Sequence, residues 1–250
     1  TAWSQLGLNI DGDVADDKFG FSVSLSADGQ TLAIGAYAGE GGHGYTHIYT
    51  YNSGATPAWQ QLGQKIDGEA VGDKSGREVS LSADGRTIAI GEHRNNNDKG
   101  QVRIWTYNSG NNTWELLGSA IVGEATNDES GIAVSLSADG RTVAIGAHLN
   151  DGNGADSGHV RIYSYNSDTS AWAQLGSDID GEDNDNRSGR SVYLSADGRI
   201  VAIGAWSNGR NDENNNGGYY SGHVRIYQYD ATKGAAVTDQ SSTTFGPVRW

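Results

Sequence analysis

The chain has 250 residues, a net charge of −14 and a hydrophobic content of 36%, with 37 glycines and 2 prolines. This length suits one large all-β domain or two small ones, and the composition favours short strands joined by tight turns over packed helices. Because like charges repel, contact with nucleic-acid phosphates or anionic lipid headgroups is unfavourable. We therefore expect no nucleic-acid partner. We also expect no membrane insertion, because no apolar run approaches the roughly 20 residues that span a bilayer.

The sequence contains neither cysteine nor methionine. Disulfides therefore play no part in the fold and cannot indicate a cellular compartment. The lack of methionine even at position 1 predicts a processed product or a piece of a longer precursor, and removal of a signal peptide would account for it.

A repeated block is the strongest feature of the chain. The block begins at Gly20, Gly76, Gly131 and Gly189, so the copies lie about 55 residues apart. The four copies read GFSVSLSADGQTLAIGA, GREVSLSADGRTIAIGE, GIAVSLSADGRTVAIGA and GRSVYLSADGRIVAIGA. A fixed period of tens of residues is typical of an array of one supersecondary unit.

Each copy begins with two predicted strands, A and B. In the first copy, Val23 and Leu25 alternate with small serines, which predicts a strand whose apolar side chains face inward. The turn Ser-Ala-Asp-Gly follows, and Gly29 supplies the positive φ that a tight hairpin needs. Strand B covers residues 32–35, where Ala and Gly let neighbouring sheets approach closely near a central axis.

Two further strands complete each copy. Strand C is predicted at residues 102–105, 160–163 and 224–227, with residues 47–49 as the divergent first copy. Strand D is the Trp-x-x-Leu-Gly segment at residues 3–10, 59–66, 114–121 and 172–179. Four strands in such a period are typical of a propeller blade. The sequence therefore predicts an all-β fold, a β-propeller with four blades of four antiparallel strands, as a single domain over residues 1–230.

The two ends of the repeat array are incomplete. The chain opens on a strand D without a preceding A, B or C, and the last copy ends at Tyr229 without a strand D. Pairing of the N-terminal strand with the last blade would close the ring and remove an exposed sheet edge. We predict this closure, with residues 231–250 as a C-terminal tail or closing strand. The alternative is a slice of a larger propeller, in which residues 240–250 supply the last outer strand or the cut edges pair with another chain.

The block from Phe19-Gly20 through Gly35-Ala36, followed by Gly44 and an aromatic strand, resembles the FG-GAP repeat of integrin alpha-chain propellers and related microbial surface proteins. Two departures stand out, since only the first copy has the Phe-Gly pair and no copy has the proline of Gly-Ala-Pro. The resemblance implies a propeller, adhesion or ligand binding, and calcium in Asp-rich loops. It also implies an extracellular or cell-surface location within a larger multidomain surface protein. Blade number and ligand do not transfer with the resemblance.

The loops from strand D to strand A carry carboxylates at relative positions 1, 3 and 7. Such acids on a Gly-containing loop can converge on calcium, which takes about six to eight oxygens. The predicted calcium ligands are Asp11, Asp13, Asp17, Asp67, Glu69, Asp73, Glu124, Asp128, Asp180 and Glu182. The third loop has Val122 at position 1 and should bind most weakly. Alternatively, Asp-Gly makes the turn, and the acids are solvated or cap backbone N–H groups.

One aromatic or imidazole ring follows strand B in each copy, on the face that also carries the loops from D to A. A circle of rings beside carboxylates can stack on a sugar or bind a cation. The long loop after the last of these rings would shape a pocket. The predicted ligand-binding residues are Tyr37, His93, His148, Trp206, Tyr219 and Tyr220. Packing at the rim without a ligand is the alternative.

No catalytic pattern stands out in the sequence. Catalysis needs one asymmetric constellation, whereas repeats tend to give every blade the same residues. Nucleophile elbows, phosphate-binding loops and zinc spacings do not occur, and the six histidines are scattered. We therefore predict a binding or adhesion module for a glycan or protein ligand, and not an enzyme. A multivalent lectin and a polysaccharide-processing enzyme that uses His93 or His148 are the alternatives.

Overall fold

The computed structural model describes residues 2–208 and 221–231, and most of their regular structure is β-strand. The first blade contains β1 (Ser22–Leu25), β2 (Thr31–Ala36), β3 (Tyr45–Tyr51), β4 (Trp59–Gln61) and β5 (Ile66–Asp67). The second contains β6 (Glu78–Leu81), β7 (Thr87–Glu92), β8 (Gln101–Asn108), β9 (Thr113–Leu116) and β10 (Ile121–Val122). The third contains β11 (Ala133–Leu136), β12 (Thr142–Ala147), β13 (His159–Asn166), β14 (Ala171–Gln174) and β15 (Ile179–Asp180). The fourth contains β16 (Ser188–Leu194), β17 (Ile200–Ala205) and β18 (His223–Gln228).

Each blade is an antiparallel sheet in the predicted strand order. In the first blade, β1 pairs with β2, β2 with β3, and β3 with both β4 and β5. The predicted strand D is therefore two short strands on one edge of the sheet. The fourth sheet has three strands among the described residues. Short helical turns at Gly39–Gly42 and Asn95–Asp98 follow the strands B of the first two blades. No described helix is long and apolar enough to cross a membrane.

The apolar core lies between neighbouring sheets. Inward-facing side chains of strands A and B in one blade pack against strands B and C of the preceding blade, and burial of this apolar surface drives the stacking. The first interface consists of Ala33, Ile48, Ile66, Val79, Leu81, Ile88, Ile90 and Trp114. Equivalent clusters lie between the second and third blades and between the third and fourth. One interface therefore occurs three times.

Glycines of strand B allow the sheets to approach each other closely. A Cβ atom built on Gly35 would overlap the carbonyl oxygen of Gly76 in the next blade. The pairs Gly91 with Gly131 and Gly146 with Gly189 repeat this contact. The prediction that small residues in strand B permit close packing is therefore confirmed.

The predicted closure of the ring is not found among the described residues. Hydrogen bonds from Ala27 to Ala83, from Ala83 to Ala138 and from Ala138 to Ala196 link successive hairpins, and no described bond links the fourth hairpin to the first. β18 pairs with β17 alone in the described part of the chain. Within the described residues the four sheets therefore form an open arc. The predicted C-terminal tail or closing strand lies outside the described residues after residue 231.

The N-terminal segment lies beside the first blade instead of the fourth. The carbonyl of Leu6 accepts a hydrogen bond of 2.9 Å from the indole Nε1 of Trp59. The same bond joins Leu62 to Trp114 and Leu117 to Trp172 across the first two interfaces. Residues near Leu6 therefore lie where a preceding blade would have its strand D, but the predicted strand at residues 3–10 is wrong, since these residues form no regular strand and Trp3 is fully exposed.

Candidate functional site

The four predicted rings at the ends of strands B have contrasting environments on the loop face, which these strand ends form together with the loops from D to A. His93 and His148 are buried, and the Nδ1 atom of each has no hydrogen-bond partner among the described residues. Tyr37 is half-buried and packs edge-on against Phe21, with ring centroids 4.6 Å apart. The fourth ring, Trp206, is exposed. Tyr219 and Tyr220 lie outside the described residues.

Two arginines that the sequence analysis overlooked lie among these rings. The guanidinium carbon of Arg77 is 4.9 Å from the ring centroid of Phe21 and 5.7 Å from that of Tyr37. Arg77 and Arg190, from different blades, both act electrostatically on His93 and His148. We call these four residues, Arg77, His93, His148 and Arg190, the central basic cluster.

The cluster is positively charged at its arginines and neutral at its histidines. Burial, together with the charges of Arg77 and Arg94, lowers the pKa of His93 to about 3. Burial likewise lowers the pKa of His148 to about 3, with Arg190 as the next cause. Burial and the charge of Arg190 lower the pKa of Arg77. No described carboxylate lies within 4.0 Å of the Arg77 or Arg190 guanidinium, although the carboxyls of Glu78 and Glu129 attract both arginines from farther away.

A cavity of about 720 Å³ opens beside the cluster on the fourth blade, within the usual range of about 300–1,000 Å³ for ligand pockets. Its lining includes His148, Arg187, Arg190, Trp206, Ser221 and His223. The guanidinium carbon of Arg187 is 5.5 Å from the ring centroid of Trp206. The cavity therefore combines a flat aromatic surface with guanidinium and imidazole groups.

Glu129 adds a carboxyl group to the edge of this region. Its Oε2 atom is 3.8 Å from Nδ1 of His148. Burial raises the pKa of Glu129, although the charge of Arg94 opposes this effect. An imidazole and a carboxyl group with altered proton affinity therefore lie side by side, which is typical of sites that move protons.

The acids at position 7 of the loops from strand D to strand A accept hydrogen bonds from backbone N–H groups of their own loops. A carboxylate oxygen of Asp17 accepts bonds from the Val14 N–H at 3.0 Å and the Tyr45 hydroxyl at 2.6 Å. Asp73 and Asp128 accept equivalent bonds from the backbone N–H three residues earlier, at 2.8 and 3.0 Å. These contacts favour the alternative interpretation in which the acids stabilise turns.

The other two loop positions also contact strand C. Backbone carbonyls at position 1 accept bonds from the strand C arginines, in the pairs Asp67 with Arg103, Val122 with Arg161 and Asp180 with Arg225. At position 3, the pairs are Asp13 with His47, Glu69 with Gln101, Glu124 with His159 and Glu182 with His223. Asp11 is exposed. Calcium binding by these loops stays a prediction.

One group of residues has the composition of a metal site. Single ligand atoms of Glu124, His159 and Asp178 all lie within 4.8 Å of one another. His159 is only 1% exposed, and its Nδ1 has no hydrogen-bond partner among the described residues. This Nδ1 lies 3.7 Å from Glu124 and 3.8 Å from Asp178. The group uses the third loop, which was expected to bind calcium most weakly.

Sequence reasoning found part of these two sites. Glu124 and His148 were predicted, whereas His159 and Asp178 were missed because they lie on strands C and D, apart from the loop in sequence. A signal for the arginines was present in the repeat itself. The position after the repeated glycine reads Phe21, Arg77, Ile132 and Arg190, whereas the glycine before it and the valine two residues after it are the same in all four copies.

Solved structures with the same fold place the chain among β-propellers. A putative 6-phosphogluconolactonase from Bacteroides uniformis matches with a TM-score of 0.58 and 14% identity, over 88% of this chain and 53% of that chain. The periplasmic gluconolactonase of Pseudomonas aeruginosa matches with a TM-score of 0.53 and 16% identity, over 90% and 58%. Sqt1 from Chaetomium thermophilum matches with a TM-score of 0.52 and 12% identity, over 85% and 44%. The all-β propeller prediction is confirmed, and the chain spans about half the length of these structures.

Within this class, residues 123–163 match the FG-GAP repeat family. The predicted resemblance is therefore confirmed for the repeat, without a specific relationship to integrin alpha chains. No curated protein matches the sequence.

The prediction that the protein is not an enzyme is contradicted. Two structural neighbours are described as gluconolactonases, so this fold is compatible with catalysis. Repetition of the strands also does not make the four blades equivalent at the loop face. Arg77 and Arg190 have no counterpart in the first and third copies, so the loop face is asymmetric.

The buried histidines predict a specific dependence of stability on pH. Below the ordinary pKa of 6.5, the unfolded state binds protons that His93 and His148 cannot bind in the folded state. Their contribution to the free energy of unfolding should therefore fall by about 1 kcal/mol per pH unit for each histidine between pH 6 and pH 4. In urea titrations, His93→Gln should flatten this slope. The difference in the free energy of unfolding between variant and parent at pH 8, where both imidazoles are neutral, corrects for packing lost in the variant. If the free energy of unfolding of the variant falls with pH as steeply as that of the parent, the prediction is wrong.

Proposed function

We propose that the loop face binds an anionic carbohydrate at the central basic cluster. The observation that carries the proposal is the pair of half-buried arginines, Arg77 and Arg190, neither of which has a described carboxylate within 4.0 Å in a protein with a net charge of −14. A partly desolvated cation is costly unless an anion balances it. Guanidinium groups suit carboxylate and phosphate because they can donate two parallel hydrogen bonds.

The cavity beside the cluster supports a sugar as the body of this ligand. Trp206 offers a flat aromatic surface, which stacks on the apolar C–H face of a sugar ring. His148 and Arg190 lie in the same cavity, so an acid group on the sugar would meet the guanidinium while its ring meets the indole. A volume of about 720 Å³ accommodates a ligand of one or two sugar rings. We therefore expect a sugar acid or a sugar phosphate.

This function includes the predicted role in adhesion or ligand capture at an extracellular or cell-surface location. The match to the FG-GAP repeat supports that role. A neighbouring structure described as periplasmic is compatible with a location outside the cytoplasm. A protein ligand with an acidic surface would satisfy the same arginines, but the size of the cavity favours the sugar.

Binding should depend on Arg190 and on the acid group of the ligand. By calorimetry, we expect glucuronate or galacturonate oligosaccharides to bind, and neutral oligosaccharides of the same length to bind at least tenfold more weakly. Arg190→Gln should lower the affinity for the acidic sugar about tenfold or more, since a charged hydrogen-bonded pair contributes about 1.5–3 kcal/mol. The matched control Arg141→Gln lies on the hairpin turns of the opposite face and should change nothing. Equal affinity for neutral and acidic sugars would refute the proposal.

A second candidate function is hydrolysis of a sugar lactone, favoured by the neutral His148 beside Glu129. The imidazole would accept a proton from water as the oxygen attacks the lactone carbonyl. The ring C–O bond would then break, and the proton would pass to the leaving oxygen. Arginines would stabilise the negative carbonyl oxygen in the transition state. An anionic ligand would offset the arginine charges and raise the pKa of His148 toward the range useful for a base.

Lactonase activity should require His148, whereas binding of the acid product should not depend on this residue. We expect 6-phosphogluconolactone or gluconolactone hydrolysis above the spontaneous rate, measured by proton release at constant pH. His148→Gln should lower kcat by about 100-fold or more, since general base catalysis typically contributes that much. The variant should keep its affinity for the acid product within a few fold. Hydrolysis at the spontaneous rate in the parent protein would exclude this function.

We also propose that Glu124, His159 and Asp178 bind a divalent metal. One imidazole with two carboxylates suits Zn²⁺ or another first-row metal better than calcium, which takes oxygen ligands. The three residues come from a loop between blades, from strand C and from the strand D segment. A bound metal would therefore stabilise the third loop against its own blade.

Zn²⁺ should raise the melting temperature through this triad. At a free metal concentration 100 times the dissociation constant, the stabilisation should be about 2.7 kcal/mol, measured by calorimetry. Asp178→Asn should abolish the rise in Tm, whereas Asp168→Asn, in an exposed turn of the same blade, should retain it. The same rise in both variants would place the metal elsewhere, and a rise with calcium alone would favour the loop carboxylates.

A further inference from the structure

The last residue of strand B in the second blade differs from that in the other three blades. It is Glu92, whereas the equivalent residues of the other blades are Ala36, Ala147 and Ala205. In the strand pairing, Glu92 lies opposite Gln101, and Ala147 lies opposite His159. Glu92 and Ala147 are both fully buried. The third blade therefore lacks a buried carboxylate that the second blade has at the same place.

Two side chains of strand C hold the carboxylate of Glu92. Nε of Arg103 donates a hydrogen bond of 2.8 Å to its Oε1 atom, and Nη2 of Arg103 bonds the same oxygen. Nε2 of Gln101 donates a bond of 2.6 Å to Oε2. These bonds satisfy the carboxylate oxygens and balance the guanidinium charge in a place from which water is excluded.

Arg161 of the third blade is anchored in the same way as Arg103, but it has no such carboxylate. In both blades Nη2 donates to a backbone carbonyl of the loop from D to A, from Arg103 to Asp67 at 2.6 Å and from Arg161 to Val122 at 3.0 Å. Arg161 is 7% exposed, and its Nε is buried without a hydrogen-bond partner among the described residues. Glu124 lies 3.6 Å from a different nitrogen, Nη1. The nitrogen that binds a carboxylate in the second blade is therefore unpaired in the third.

A serine hydroxyl is a second unpaired donor in this part of the third blade. Oγ of Ser130 is buried and has no hydrogen-bond partner among the described residues. Its counterpart in the second blade is Ser75. Burial raises the pKa of Glu92, and the Ser75 hydroxyl is among the groups that oppose this effect. In the fourth blade, the equivalent Ser188 accepts a bond of 3.3 Å from Nη2 of Arg225. The serine at this position therefore lies beside the strand C arginine.

We propose that a small monovalent carboxylate, of the size of acetate, binds in the third blade at the place that corresponds to the Glu92 side chain. Glutamate extends beyond alanine by one CH2 group and one carboxylate, which together correspond to an acetate ion. Adjacent sheets are equally close at both places, because a Cβ atom on Gly91 or on Gly146 would lie 2.0 Å from a carbonyl oxygen of the next blade. The ion would balance the charge of Arg161, as Glu92 balances that of Arg103.

The residues around Arg161 favour a carboxylate over a halide. A carboxylate has two oxygens, so one can accept a bond from Nε of Arg161 and the other a bond from Oγ of Ser130, whereas a halide offers one centre. His159 stands where Gln101 bonds Glu92, but its Nδ1 atom lies toward Glu124 and Asp178 and is not needed for this site. Since the side chain of Glu124 is 46% exposed, solvent reaches the neighbourhood of the guanidinium. None of the residues of the central basic cluster takes part.

Acetate should raise the melting temperature of the protein freed of divalent metal, which keeps Glu124 and its proposed metal out of the measurement. A ligand that binds the folded state alone stabilises it, so each tenfold increase in acetate above the dissociation constant should raise Tm by roughly 3–5 °C. Chloride at the same ionic strength controls for screening of surface charges. No rise would mean that water fills the site, and an equal rise with chloride would mean that the site does not select a carboxylate. Either result overturns the proposal.

Two variants of the third blade locate the effect. Ala147→Glu should make Tm independent of acetate, because the new side chain occupies the site itself. It should also abolish the saturation transfer from the protein to the acetate methyl group that we expect in NMR spectra of the parent. Arg161→Gln should likewise remove the dependence of Tm on acetate, so the test does not rely on one variant. Both variants retain Arg77 and Arg190, so an unchanged rise in Tm would place acetate at the central basic cluster and contradict the proposal.

Glu92→Ala is the matched positive control, since it reproduces in the second blade the arrangement of the third. Without acetate this variant should melt at a lower temperature than the parent, because Arg103 then loses its buried partner. Acetate should restore part of the loss, and Tm should rise more steeply with acetate than in the parent because two sites are then filled. If acetate restores nothing in Glu92→Ala, an arginine in these surroundings does not capture a free carboxylate, and the proposal is wrong.

Discussion

The contact between neighbouring sheets is the constraint on which the rest of the structure depends. A single blade has one apolar surface on each side and cannot bury either of them alone, so each blade is stable only against its neighbours. Glycine in strand B brings the backbones of adjacent sheets together, as at Gly146 and Gly189. This close approach at the inner ends of the sheets brings Arg77 and Arg190, from the second and fourth blades, into one electrostatic cluster with two buried imidazoles.

The strands and their order could be predicted from the sequence because the same alternation of apolar and polar residues recurs in all four copies. Val23 and Ile34 lie opposite each other in β1 and β2, as the period of two and the turn at Gly29 predict. Closure could not be deduced in the same way. Closure depends on the rotation between adjacent sheets, which is set by the packing of side chains such as Ile48 against Val79. This rotation does not produce a periodic pattern that could be recognised in the sequence.

Candidate sites were predictable only where a residue belongs to the repeated pattern. His93 and His148 were identified because they occupy a recurring position, and the structure adds that both are buried and neutral. The role of Arg190 depends on a partner about 110 residues earlier in sequence, Arg77, which no local motif links to it. The same holds for His159 and Asp178, whose proximity results from pairing of strands C and D in one blade. The sequence could not decide the role of loop acids such as Asp73, which caps its own loop, because a capping carboxylate and a metal-binding one look alike in sequence.

The blades differ in the number of neighbours against which they pack, and this difference affects where local unfolding begins. Among the described residues, the second and third blades each pack against two neighbours, whereas the first and fourth blades each pack against one. In such a linear array, cooperativity passes only between nearest neighbours, so local unfolding should begin at the outer blades and spread inward. The cavity beside Trp206 lies on one of these outer blades. Its shape is therefore coupled to fraying of that end, and any molecule that covers the fourth blade would also order the cavity.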